Sequence, residues 1–445
     1  MIKKGFSFFL TIILIGALLS PAGQAGAYTP SSFDVRAQNA LLISADGNTV
    51  LFERGADKRV YPAAIVKVMT ALLVIENASD LKNEKVPVTA AVLNSLKGGS
   101  YNAYNLKAEE EIPAIDLVYL IMLGSSNEAA AVAAEYYGGG SNSNFIKMMN
   151  DKAAALGMEN TNYVNATGIH ASNQYTTARD IYKLTRYAME NASFKEVAAT
   201  RLYEMPATNS YQKTRYVLNN NQLRDSSTNY YYKYATGVKT GYTEEAGRCL
   251  VAAATKEKKS YICVLMNSPV TDADGKDVRY EFTDAKNLFE WAFEDFSHKQ
   301  VLSSAQPAGE AKVRYSWDTD HVTLYPASDL SATIPASSDT STVVTEVHLN
   351  AEEFEAPVAA GDVMGYVVVS YAGVELGRTE LLAGEGVERS FLLAAGGEIS
   401  KIAGTLWFRL IVLAVILLLL LRILLVRAAR RKRKNARRVK DYRRM

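Results

Sequence analysis

The chain has 445 residues, 48% of them hydrophobic and 22% charged, with a formal net charge of +2. That composition excludes a disordered chain and leaves room for two soluble domains plus further segments. Two cysteines exclude a disulfide framework, and the four histidines (His170, His298, His321, His348) are scattered without ligand spacing, so no metal or cofactor is expected.

Residues 1–27 read as a secretory leader. Lys3 and Lys4 form a basic start, Phe6 to Leu19 is apolar, and Ala25-Gly26-Ala27 supplies small residues for cleavage before Tyr28. The apolar stretch is short for the alternative, an uncleaved membrane anchor.

Residues 28–300 form one compositional block. Ala40 to Arg54 has two apolar runs around Asp46-Gly47-Asn48, a hairpin pattern. A helix is predicted over Tyr61–Asn77, with Pro62 near its start, where a missing N–H costs least. Helical patterns follow over Ala114–Tyr137, interrupted at Gly124-Ser125-Ser126-Asn127, then over Asn142–Leu156 and Ala178–Asn191. Tyr234 to Pro269 reads as strand, loop, strand, turn, strand, and Lys286 to Phe296 as a closing helix. Strands at both ends enclosing helices predict an α/β domain with an antiparallel sheet. Cys249 and Cys263 fall on neighbouring strands but out of register across the Thr255–Ser260 hairpin, which favours buried free thiols over a disulfide.

From 301 to 395, Ser, Thr, Pro and Gly punctuate short alternating runs such as Val322-Thr323-Leu324, Val343 to Leu349, Gly365 to Tyr371 and Val374 to Leu376, predicting a small all-β domain. A hydrophobic segment then occupies 404–426. Its 21 residues from Leu406 to Val426 make a helix of about 31 Å, near the hydrocarbon thickness of a bilayer. Arg409 and Arg422 sit near its ends, where they can snorkel. An interfacial helix is the alternative reading, but Ile411 to Leu421 shows no polar face. The tail 427–445 holds eleven Lys or Arg and one acid, Asp441, which marks a cytoplasmic side. Removing that tail (+10), the two helix arginines and the two leader lysines from +2 leaves −12 over residues 28–403. The exported part is acidic, so nucleic acid is not expected as a partner.

Three short motifs occur in order: Ala64-Ile65-Val66-Lys67, Ser125-Ser126-Asn127 and Lys239-Thr240-Gly241. Each is weak alone. Together they follow the Ser-x-x-Lys, Ser-x-Asn, Lys-Thr-Gly set of penicillin-binding serine enzymes. In that chemistry a serine three residues before a buried lysine shares its helix face, and the lysine accepts its proton. With "ADKRVYPAAIVKVMTALLVIE", "GSSNEAAAVAAE", "NYVNATGIHASNQYTTARDIYKLTRYA" and "GVKTGYTEEAGRCLVAAA", the chain resembles the low-molecular-mass penicillin-binding D-alanyl-D-alanine carboxypeptidases over about residues 35–300. The later "EAPVAAGDVMGYVVVSYAGVELGRTELLA" is similar to that family's C-terminal β domain.

The resemblance implies a penicillin-binding transpeptidase/β-lactamase-like α/β domain, a small β-sandwich and one C-terminal transmembrane helix. It puts Ala64 at the nucleophile position, Lys67 at the general base and Ser125 and Asn127 in the Ser-x-Asn roles. Lys239 and Thr240 become the carboxylate-binding pair, and Gly241 the point of close substrate approach. The family pattern is Pro-Ala-Ser-x-Thr-Lys, whereas this chain reads Pro62-Ala63-Ala64-Ile65-Val66-Lys67, so two hydroxyls are missing. Three readings follow: a family member that binds peptidoglycan stem peptides ending in D-Ala-D-Ala with catalysis impaired, an active carboxypeptidase using Ser125 as a substitute nucleophile, or a structural cell-wall module. β-Lactams would be held without a covalent bond in the first. The implied location is exported and membrane-anchored by a single pass, with the domains on the outer face and the C-terminus cytoplasmic.

Overall fold

The computed structural model describes residues 28–45, 49–96 and 103–442. The expected leader and the Asp46-Gly47-Asn48 hairpin tip lie outside the described residues. The chain divides into two compact units. The first holds the residues up to Val301 with Ser331–Val344 and Val369–Gly377, and the second holds Leu302–Leu330, Thr345–Val368 and the residues from Arg378 on.

The first unit is built on five antiparallel strands: β1 (Asn39–Ser44), β2 (Val50–Arg54), β3 (Ala235–Thr243), β4 (Gly247–Lys256) and β5 (Lys259–Ser268), in the order β2-β1-β5-β4-β3. Alternation along the strands separates two cores. Leu41, Ile43, Val251, Val264 and Met266 pack into one apolar cluster with a helical layer. Ala40, Leu42, Leu250, Cys263 and Leu265 pack into the other.

The helical layer comprises α1 (Lys67–Asn77), entered through a 3-10 turn over Ala63–Val66, α2 (Ala114–Met122), α3 (Asn127–Tyr137) and α4 (Ala178–Glu190), with further helices at Ala90–Ser95, Asn142–Ala155 and Ala192–Ala199. The opposite core is closed by α5 (Tyr280–Asp295). That helix starts six residues before the expected Lys286. Phe282, Ala285, Leu288, Phe289, Ala292 and Phe293 form its buried stripe. The first turn was hidden in the sequence because Asp284 is also buried. Its carboxylate accepts the backbone N–H groups of Arg36 (2.7 Å) and Ala37 (3.0 Å).

Both cysteines are buried free thiols. Cys249 faces the helical core and Cys263 the α5 core, on opposite faces of the sheet. Burial pushes the Cys249 thiol up to about 12.

The second unit is β-rich, as expected. Gly309–Arg314 pairs antiparallel with His321–Pro326 and parallel with Phe354–Glu355, over a core of Ala311, Val322, Leu324, Val367 and Leu381. The strands are followed by a helix, α6 (Phe391–Gly404), where an all-β run to residue 395 was expected. Next comes α7 (Leu406–Tyr442), which carries the apolar segment and continues unbroken into the basic tail. Lys and Arg are good helix formers, so the charge run does not end the helix. Among the described residues, Leu406–Arg431 is the one helix long and apolar enough to cross a membrane.

Candidate active site

The site grows from three elements around Lys67 and Lys239. The first is the 3-10 turn and α1. Ile65, Val66, Val68, Met69 and Leu72 anchor this segment in the core. They carry Lys67 down with them, leaving it 1% exposed. Its ammonium has to find partners inside the protein. Lys67 Nζ donates to Asn127 Oδ1 at 2.7 Å and to the Thr167 carbonyl.

The second element is the start of α3. Ser126 caps it, accepting from the Ala129 N–H (3.1 Å) while its hydroxyl donates to the buried Glu128 carboxylate (3.0 Å). Ser125, just outside the helix, adopts a φ of +55°. An L-residue rarely holds that conformation, and it persists only where the surroundings over-determine it. Here the Tyr104 ring lies against Gly124, so close that a Cβ at 124 would fall 2.3 Å from its hydroxyl oxygen.

The third element is β3. Lys239 is also 1% exposed. Its Nζ donates to Ser125 Oγ at 3.0 Å and to the carbonyl of Thr240 at 2.9 Å. Ser125 therefore meets Lys239. Gly241 lies against the 3-10 turn, where a Cβ would come 3.1 Å from the Ala64 nitrogen.

Burial shapes the electrostatics. Lys67 is held well below the usual lysine range, first by desolvation and then by the charge of Lys239, with Glu128 opposing. Desolvation pushes Lys239 down to about 7. Lys67 is thus poised to accept a proton, and Lys239 to exist in both states near neutrality. Ala64 is half-buried and ends in a methyl group, so the side chain at that position has no proton to give and no oxygen with which to attack.

Of the sequence-predicted residues, Ala64, Lys67, Ser125, Asn127, Lys239, Thr240 and Gly241 are thus linked by direct contacts or by one intervening residue. None of the three sequence motifs includes Thr167, Gly168 or Tyr104. Gly168 has φ +79°, and a Cβ there would fall 2.2 Å from the Ala63 carbonyl oxygen and 2.8 Å from Ala64 Cα. The loop that presents it is shaped by Asn165, whose Oδ1 accepts the Gly168 N–H at 2.7 Å. The Asn-Ala-Thr-Gly stretch, Asn165 to Gly168, is the local signal that could have pointed to this loop.

Residues 26–270 match the D-alanyl-D-alanine carboxypeptidase family of S11 peptidases, and residues 296–389 match the C-terminal domain of penicillin-binding protein 5. The D-alanyl-D-alanine carboxypeptidase DacF of Bacillus subtilis is 27% identical over 404 residues, covering 88% of this chain and 98% of DacF. A D-alanyl-D-alanine endopeptidase of Escherichia coli is 33% identical over 288 residues, covering 64% and 86%. Penicillin-binding protein 5 of Haemophilus influenzae superposes with a TM-score of 0.62 at 25% identity, covering 82% of this chain and all of that one. On the matched residues and the shared fold, the chain belongs to the S11 D-alanyl-D-alanine carboxypeptidase family.

Proposed function

We propose that the protein recognises peptidoglycan stem peptides ending in D-Ala-D-Ala while having lost serine acylation, because Ala64 stands at the nucleophile position. In this reading Lys239 and Thr240 receive the terminal carboxylate and Asn127 the peptide amide, Gly241 lets the ligand backbone approach β3, and the Ala64 N–H donates to the carbonyl oxygen that would become the oxyanion. The observation that supports it is the assembled polar frame around residue 64. Lys67 is bonded to Asn127 and Lys239 to Ser125, with a methyl group where the attacking oxygen would be. The apolar α7 would hold the unit at a membrane, with its basic end on the cytoplasmic side.

A second reading has a specific observation behind it. Ser125 Oγ lies 3.0 Å from Lys239 Nζ, and a lysine near 7 can serve as a base. Ser125 would then be the substitute nucleophile, with Lys239 rather than Lys67 as its partner. Intact-mass spectrometry after incubation of the full-length protein with benzylpenicillin separates the two. The expected result is no adduct, while an adduct mapped to Ser125 would establish the second route. Release of D-alanine from a stem peptide at an ordinary enzymatic rate would overturn the proposed loss of acylation.

A further inference from the structure

We infer that a pocket on the α5 side of the first unit, walled by aromatic rings and rimmed by both lysines and glutamates, is a binding site for an N-acetylated sugar. The pocket stands apart from the Lys67 and Lys239 site. Only the choice of sugar rests on reading the chain as a peptidoglycan binder, because the polymer that carries stem peptides has a backbone of N-acetylated sugars.

The run Tyr230-Tyr231-Tyr232-Lys233-Tyr234 places four tyrosines in five positions just ahead of β3. Backbone hydrogen bonds fix this segment. The Tyr231 N–H donates to the Thr228 carbonyl (3.3 Å), the Tyr232 N–H to the Leu223 carbonyl (3.0 Å), and the Tyr234 carbonyl accepts from the Thr255 N–H (2.9 Å). Tyr232 is buried, its ring stacked on Phe289 of α5 with centroids 5.9 Å apart. That anchor presents its neighbour Tyr231, which remains 38% exposed. Tyr231, Tyr234 and Phe293 line a cavity of about 340 Å³, within the range of small-molecule sites. Its walls are set before any ligand arrives, which lowers the ordering cost of binding.

The rim carries both signs of charge. Lys286, Glu290 and Glu294 line the same cavity, spaced four residues apart along one face of α5. Lys233 Nζ and Lys256 Nζ lie 4.8 and 5.4 Å from the Tyr234 ring centroid, so two ammonium donors gather at one wall. Burial, and after it the neighbouring Glu290, Tyr234 and Glu294, push the Tyr232 phenol above its ordinary value, so it stays a donor. An anionic ligand would meet the two glutamates, and a cationic one the three lysines. An uncharged ligand rich in hydroxyl and amide groups uses both sets, accepting from the lysines and donating to the glutamates. A sugar ring adds a flat C–H face for the exposed Tyr231 ring, and an acetamido group adds one donor, one acceptor and a methyl. Tyr234 stands five residues before Lys239, about 16 Å along an extended strand. Tyr232, Phe289 and Phe293 belong to the α5 core, whereas Ile65 and Val66 beside Lys67 belong to the helical one.

The test titrates the full-length chain, in a detergent without a sugar headgroup, with tri-N-acetylchitotriose and with maltotriose, which lacks the acetamido groups. Saturation-transfer NMR is expected to show contact with the acetyl methyls and ring protons of chitotriose, and calorimetry to show that it binds more tightly than maltotriose. Tyr231→Ala is expected to weaken chitotriose about fivefold, the worth of one aromatic contact, and Glu294→Gln to weaken it as well. Both side chains are exposed, and an unchanged melting temperature verifies that each variant is folded. A peptide ending in D-Ala-D-Ala is expected to leave the sugar in place. No contact with chitotriose, equal binding of the two sugars, undiminished binding in both variants, or displacement by the peptide would overturn the inference. Peptide binding without sugar binding fells the sugar site alone, and sugar binding without peptide binding fells the D-Ala-D-Ala reading alone.

Discussion

Replacing Ala64 with serine adds one oxygen to a site whose other parts are in contact. The Cβ already exists at residue 64, and two glycines, Gly168 and Gly241, lie against the backbone there. The proton has a destination. A lysine at its ordinary value near 10.4 is neutral in about one molecule in a thousand at pH 7.4, which would add about 4 kcal/mol to a barrier that needs the free amine. Burial of Lys67, which holds its amine well below the usual lysine range, lowers that cost. Deleting a serine nucleophile from a triad enzyme slows turnover by about six powers of ten, equivalent to about 8 kcal/mol. Restoring one here should recover a large part of it, less a share for the threonine position that remains Val66. Ala64→Ser is therefore expected to become acylated by benzylpenicillin at residue 64, read by intact mass and peptide mapping, while the unsubstituted protein is not. An Ala64→Ser protein that binds the stem peptide yet gains no acyl group would refute the claim that the rest of the machinery is in working order.

Two further outcomes follow from the same geometry. In the proposed reading the carboxylate meets charged Lys239, which burial pushes down to about 7, so stem-peptide affinity should be flat below pH 7 and fall as the pH rises through it, by up to tenfold per unit; affinity that instead rose with pH in calorimetry would exclude Lys239 as the carboxylate partner. Gly168→Ala places a Cβ 2.2 Å from a backbone oxygen at φ +79° and should cost about 3 kcal/mol, seen as a melting temperature several degrees lower; a melt within about 1 °C of the parent would mean the loop moves freely.

What could be read from the sequence was what side-chain identity encodes. Lys67, Ser125, Asn127 and Lys239 carry the functional groups that make the contacts, so motif spacing found them. The period-2 runs found the sheet because β1, β4 and β5 divide their residues between two apolar clusters. Backbone groups leave no such mark. The Thr167 carbonyl holds Lys67, yet any residue supplies a carbonyl, and the role depends on a loop shaped by Asn165. Polar burial misled in the same way. Asp284 looks like a surface residue until the chain brings back Arg36 and Ala37, 248 and 247 positions away, as its donors. The early start of α5 was invisible for that reason. The pairing of Ser125 with Lys239 is equally long-range, at 114 positions.

The energetics of the two buried lysines bear on the choice between a binding groove and a relic. Each is 1% exposed, and the positive charge of Lys239 depresses Lys67 further. An ammonium taken out of water is costly, and a single buried pair partner seldom compensates in full. Hydrophobic residues of similar volume would often stabilise the fold better at such positions. Burial thus favours the neutral amines, and in the proposed reading an incoming carboxylate would supply the negative charge that holds a proton on Lys239. In the proposed reading, the pairs Lys67–Asn127 and Lys239–Ser125 are what anion recognition requires, and the hydroxyl absent at residue 64 is the atom that bond cleavage alone would use.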